Sequence, residues 1–182
     1  PDDEIAELYD MDGQELLDEL LKSHVSALQS EGSHVETLLE AAVRCEQAGP
    51  DAKAEALIEW IYKLQAEENE PDLKVLIFTE YRTTQNYLCE TLRCHFGADK
   101  VELINGSMGH TERREAITRF EDQGQFLIST EAGGEGINLQ RQCHIMVNYD
   151  LPWNPMRLVQ RIGRLYRYGQ KKKVVVFYIH QP

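Results

Sequence analysis

The chain is poor in cysteine. Cys45, Cys89, Cys94 and Cys143 follow neither zinc-site spacing nor the density of a disulfide-stapled scaffold. A reducing cytosol is the expected setting, and no metal site is expected. Long apolar runs are also missing: none approaches the roughly 18 residues of a membrane span, and the chain starts acidic where a signal peptide is basic. No membrane partner is expected. The pattern Gly-x-x-x-x-Gly-Lys-Ser/Thr does not occur, nor does an Asp-Glu pair after a buried strand, because Asp18 and Glu19 lie inside an amphipathic stretch. A self-contained nucleotide phosphate site is thereby excluded. Lastly, no carboxylate follows Asp150, although that stretch holds Arg157, Arg161, Arg164, Arg167 and Lys171, Lys172 and Lys173.

What is present divides by charge. Over all 182 residues the formal charge is -12, which alone argues against a nucleic-acid partner. Residues 1–73, however, hold 4 basic and 20 acidic residues (4 - 20 = -16), whereas residues 74–182 hold 15 basic and 11 acidic (15 - 11 = +4). The acidity belongs to the first part. A length of 182 residues with 42% hydrophobic content supports one sizeable core with an appendage.

Residues 13–29 carry Leu16, Leu17, Leu20, Leu21, Val25 and Leu28 at helical spacing behind Asp12, an amphipathic acidic helix. Ser33-His34-Val35-Glu36 reads as a capping box for a second helix that Gly49-Pro50 stops. Asp51 caps a third, with Leu57, Ile58, Ile61, Tyr62 and Leu64 as its buried face; Glu67 to Asp72, with Pro71, ends it, and a boundary near residue 72 is expected. From Lys74 short apolar runs alternate with helical stretches: strands over 75–78, 101–104, 126–129, 145–148 and 174–179, helices near 84–95, 111–121 and 155–168. This is an α/β pattern with a mainly parallel sheet. The expected units are an acidic helical segment, 1–50, and an α/β lobe, 51–182.

Asn154-Pro155 opens the last helix as N-cap and first helical proline, and Gly169 is its expected stop, giving about 14 residues. At roughly 100° per residue Arg157, Arg161, Arg164 and Arg167 share one face. Leu158, Val159, Ile162, Leu165 and Tyr166 form an opposite, core-facing one. Guanidinium groups match phosphate oxygens in a planar fork, so the face suits a phosphate ligand as well as it suits water. His110, Cys143 and His144 fall in no triad or metal pattern.

Three segments then act together. Ser129-Thr130-Glu131-Ala132-Gly133-Gly134-Glu135-Gly136-Ile137-Asn138-Leu139, Asn148-Tyr149-Asp150-Leu151-Pro152-Trp153-Asn154-Pro155 and Gln160-Arg161-Ile162-Gly163-Arg164-Leu165-Tyr166-Arg167-Tyr168-Gly169-Gln170 closely resemble motif V, motif VI and the segment between them in superfamily-two helicase-like motors. The Swi/Snf-type branch matches best, and bacterial members associated with RNA polymerase (RapA/HepA-like) share the Gln-Arg-Ile-Gly-Arg stretch. Lys74-Val75-Leu76-Ile77-Phe78-Thr79-Glu80-Tyr81 looks like motif IV, and Asn105-Gly106-Ser107-Met108 with Arg113, Arg114 and Phe120 looks like the next family block. The resemblance spans residues 74–180.

It implies a RecA-like parallel-sheet lobe, P-loop NTPase-like but without its own P-loop, forming the second half of an ATP-driven nucleic-acid translocase. ATP and Mg2+ would be bound mainly by a first RecA-like lobe. By position Arg164 and Arg167 match the motif VI arginine fingers, Arg167 foremost, and Gln160 matches that motif's opening polar residue. Gly134, Gly136 and Asn138 would border the nucleotide. Thr130, Arg82 and Arg113 would touch the nucleic-acid backbone. Relatives that unwind RNA usually have arginine where Glu135 stands, so a double-stranded DNA track is expected. RNA polymerase or another DNA-bound protein is a further expected partner, and the location is cytoplasmic, at a bacterial or archaeal nucleoid. A strand-separating helicase lobe and a degenerate lobe acting as a non-catalytic interaction module are the alternatives. Trp153 is expected to anchor the helix entry, with stacking on a base as the alternative, and Tyr168 is expected to pack.

Overall fold

A computed structural model of the protein describes residues 32–47, 51–134, 136, 138–139 and 141–179. The helix expected over 13–29 lies outside them, as do Glu135 and Ile137. Two helices come first, α1 (Gly32–Gln47) and α2 (Ala52–Glu68). Then follow β1 (Val75–Phe78), α3 (Arg82–Phe96), β2 (Val101–Ile104), α4 (His110–Asp122), β3 (Phe126–Ser129), β4 (Ile145–Asn148), α5 (Pro155–Ile162) and β5 (Val175–Tyr178). Single 3-10 turns occur at Ala98–Lys100 and Ala132–Gly134.

All five strands are parallel, in the order β2-β3-β1-β4-β5. The three inner strands are almost wholly apolar, as a sheet covered on both faces requires. Successive side chains alternate sides. Val75 and Ile77 therefore face Leu57, Ile61, Leu88 and Leu92 of α2 and α3, while Leu76 and Phe78 face Ala116 and Phe120 of α4 with Leu139 and Leu165. Loops after β3 and after β4 leave the carboxyl edge on either side of β1, where open α/β sheets bind their ligands.

Asp51 caps α2 as expected, accepting from the Lys53 amide at 3.1 Å. Asn69 ends it in a left-handed conformation (φ 52°). Leu57, Ile58, Ile61 and Leu64 pack into one core with the sheet, so the expected boundary near residue 72 is not a structural division. Tyr62 departs from its expected burial: it sits at the rim, half exposed, its ring 5.1 Å from that of Phe96.

Candidate nucleotide and nucleic-acid interface

α5 begins as expected. Asn154 accepts from the Met156 amide at 2.9 Å and Pro155 occupies the first turn. It ends at Ile162, six residues before the expected end at 168. Beyond it the chain runs through tight turns, Arg164 N–H to the Arg161 carbonyl at 3.0 Å and Leu165 N–H to the Ile162 carbonyl at 3.1 Å. Those turns carry Leu165 into the core, where it is fully buried beside Phe78 and Leu139. Continuing the helical wheel past Ile162 misplaced Tyr166, whereas Arg161 lies within α5 and owes its burial to partners on the sheet edge.

The correction is largest for Arg161. Instead of joining an outer cationic face it is, among the described residues, the bulkiest fully buried side chain. Its Nε donates to Glu131 Oε2 at 2.7 Å, and its Nη1 to Asn148 Oδ1 and the Asp150 carbonyl, both at 3.0 Å. Nη2 also lies 2.7 Å from the same Glu131 oxygen, an ion contact whose angle makes no hydrogen bond. The guanidinium stands 5.1 Å from the Phe78 ring centroid, a cation–π distance. Val159 and Tyr166, expected in the core, are 61% and 75% exposed.

Arg164 and Arg167 flank Leu165. Arg164 is half-buried, and among the described residues its guanidinium has no acidic partner. Arg167 is exposed and donates through Nη1 to Asn138 Oδ1, and the Leu139 N–H meets the Arg164 carbonyl at 3.4 Å. The far end of the 130–139 loop is thus drawn to the arginine segment. Gly134 is buried so closely that a Cβ would meet Phe78 at 2.8 Å, and Gly136 is exposed with φ +74°. Gln160 is exposed on α5 and among the described residues makes no bond to this cluster.

The backbone-contact candidates follow the carboxyl ends of three neighbouring strands: Arg82 after β1, Arg113 after β2 and Thr130 after β3. Only Arg82 is exposed and without a partner among the described residues. Arg113 differs from the outward-facing cation expected of it. Its Nε, Nη1 and Nη2 donate to the carbonyls of Met108, Ala132 and Gly106 at 3.0, 3.3 and 2.9 Å, clamping two loops together. Thr130 is fully buried, its hydroxyl facing the Gly133 amide at 3.4 Å. Trp153 and Tyr168 correct the packing readings outright, at 96% and 101% exposure.

Sequence reasoning missed the acidic half of this edge. Asp150 accepts from Thr79 Oγ1 at 2.5 Å and pairs with Lys53 Nζ at 3.2 Å. Glu80 is buried, and burial raises its carboxyl above the usual range, partly opposed by Arg161 and Arg157. Asp150 and Glu131 push the same way as burial. The signal available was the position of Glu80, Glu131 and Asp150 just past three predicted strands.

A five-stranded parallel sheet flanked by helices, with arginines and a glycine loop at its carboxyl edge, defines a RecA-like lobe without a P-loop. The chain belongs to the helicase conserved C-terminal domain family, whose pattern matches residues 52–169. It is 45% identical over 134 residues to the uncharacterized ATP-dependent helicase YqhH of Bacillus subtilis, covering 74% of this chain and 22% of that protein. It is 36% identical over 119 residues to the mouse SWI/SNF-related matrix-associated actin-dependent regulator of chromatin subfamily A member 1, covering 63% and 11%. The C-terminal part of the Fun30 ATPase domain superposes with a TM-score of 0.62 at 26% identity, covering 70% of this chain and 40% of that one. These relatives identify the C-terminal lobe of a Swi/Snf-type helicase. The chain spans about a fifth of the first relative's length.

Proposed function

We propose that this chain is the second motor lobe of an ATP-driven translocase on double-stranded DNA, and that it presents Arg164 and Arg167 to the γ-phosphate of an ATP held by a first RecA-like lobe. The observation that carries the reading is the arginine turn itself. Arg164 lies between two buried anchors, Arg161 and Leu165, yet its own guanidinium meets no carboxylate among the described residues. A braced cation without a counter-ion fits a phosphate oxygen. Phosphoryl transfer spreads charge over the γ-oxygens, and an inserted arginine that meets it is worth about 10³–10⁵ in rate.

Asn138 and Gly136 border the nucleotide in this reading, with Asn138 holding Arg167. Gly134 sets the depth of the loop and Gln160 completes the arginine motif. Mg2+ would be held by the first lobe and would bridge the phosphates. Arg82 touches the DNA backbone, positioning without reading sequence. Arg113 and Thr130 serve that contact by ordering the loops around it.

Hydrolysis by the isolated 182-residue chain tests this against the same chain joined to a P-loop lobe. Turnover stimulated by duplex DNA is expected only from the joined protein, with displacement of a triplex-forming strand but no separation of the duplex. DNA-stimulated turnover by the isolated chain would overturn the reading, and separated strands would make it a helicase lobe.

A further inference from the structure

α5 stops at Ile162, so no helical hydrogen-bond ladder fixes Arg164. Its backbone position is set by what flanks it. On one side Leu165 is sealed in the core. On the other, the Arg161 carbonyl receives the Arg164 N–H at 3.0 Å, and the Arg161 side chain is fully enclosed. The guanidinium of Arg161 reaches four points on the sheet edge: Glu131 beyond β3, Asn148 in β4, the Asp150 carbonyl beyond β4, and the Phe78 ring in β1. Leucine or methionine in this place would fill the volume. Only a planar fork with fixed donors sets the angle at which the helix end leaves the sheet.

We infer that Glu131, acting through Arg161, is a positioning residue for Arg164: their buried ion pair pins the turn that aims the Arg164 guanidinium. Replacing a buried ion pair by apolar groups of similar volume is often neutral for stability, whereas breaking it by removing one partner is not. Stability and positioning therefore separate when the paired variant is compared with the single ones, which each leave one charge without its partner. The inference rests on the phosphate-facing reading of Arg164 for its catalytic consequence, but not for its geometry.

The test takes Glu131→Gln, Arg161→Met and the double variant. In the 182-residue chain, melting temperature is measured together with the ¹⁵N relaxation of the Arg164 amide and its Nε–H. In the two-lobe protein, kcat and KM for ATP are measured. The double variant should melt above Glu131→Gln alone, which leaves the Arg161 charge buried without its partner, yet give a mobile Arg164. Its kcat should fall about 10²-fold, the scale of a small misplacement of a reacting group, with KM for ATP within about twofold of the original. An Arg164 that stays ordered in the double variant overturns the inference, as does a kcat that tracks melting temperature alone across the three variants. If Arg164→Ala itself leaves turnover unchanged while the double variant frees the Arg164 side chain, the pin stands and the phosphate role of Arg164 falls.

Discussion

The Tyr149 hydroxyl donates to Asp51 Oδ2 at 2.9 Å, joining the residue after β4 to the residue that caps α2. A hydrogen bond to a carboxylate is worth about 1.5–3 kcal/mol. Tyr149→Phe should therefore destabilise the chain by about that amount, read as a lower urea midpoint with an unchanged slope. The bond also has a pH signature. Burial first, and then Asp51, raise the phenol above its usual value of 10.0. The folded state thus keeps its proton where the unfolded chain loses it, and stability falls as the pH rises past about 10. In Tyr149→Phe that part of the alkaline loss should be absent.

Glu80 reports on the acidic side of the same edge. Its carboxyl faces Arg161 and Arg157 as well as Asp150 and Glu131, and burial outweighs the cations, so its folded-state pKa is raised. The folded state binds the proton more tightly than the unfolded chain, so stability declines as the pH climbs from the ordinary carboxylate range through the raised value. Glu80→Gln should accordingly raise the melting temperature at pH 7, and the gain should vanish below about pH 4, where both states carry the proton. A pH-independent difference between the two proteins would contradict the assignment.

At Gly133 a Cβ would lie 2.5 Å from the Ile104 carbonyl and 2.6 Å from the Asn105 Cα, both backbone atoms. Gly133→Ala should cost about 1–3 kcal/mol, the usual penalty for overpacking. The strain falls where the 130–139 loop crosses the end of β2. Nuclear magnetic resonance shifts should therefore spread from Asn105 to Asn138 and spare α2.

The thiols differ by burial. Cys143 is sealed beneath the sheet, where desolvation pushes its pKa up to about 12, whereas Cys94 is exposed. The thiolate is the reactive form. Mass mapping after brief alkylation of the native chain at pH 8 should find Cys94 modified and Cys143 intact, with Cys143 reacting only after unfolding.

The strands were legible because each is a short apolar run between turn residues, and four have the expected bounds. Asn154-Pro155 and Asp51 likewise announced their helices through local capping chemistry. The arginine stretch was legible as a cationic motif but not in its geometry. Burial of Leu165 competes with helix continuation and wins, and helical periodicity holds no record of that contest. Arg161 meets Glu131, which lies 30 residues away in sequence, so its burial belongs to topology rather than spacing. Arg113 misled for the same reason, since its three carbonyl partners come from two loops. The exposure of Trp153 and Tyr168 reverses the prior that large aromatics pack inside.

The arginine turn is proposed to complete an ATP site across a lobe boundary. Its most direct test is Arg167→Ala in a two-lobe protein carrying this chain, with duplex-DNA-stimulated ATP turnover measured beside melting temperature. A fall in kcat of about 10³-fold or more at an unchanged melting temperature is the predicted result. Unchanged turnover by a folded variant would contradict it.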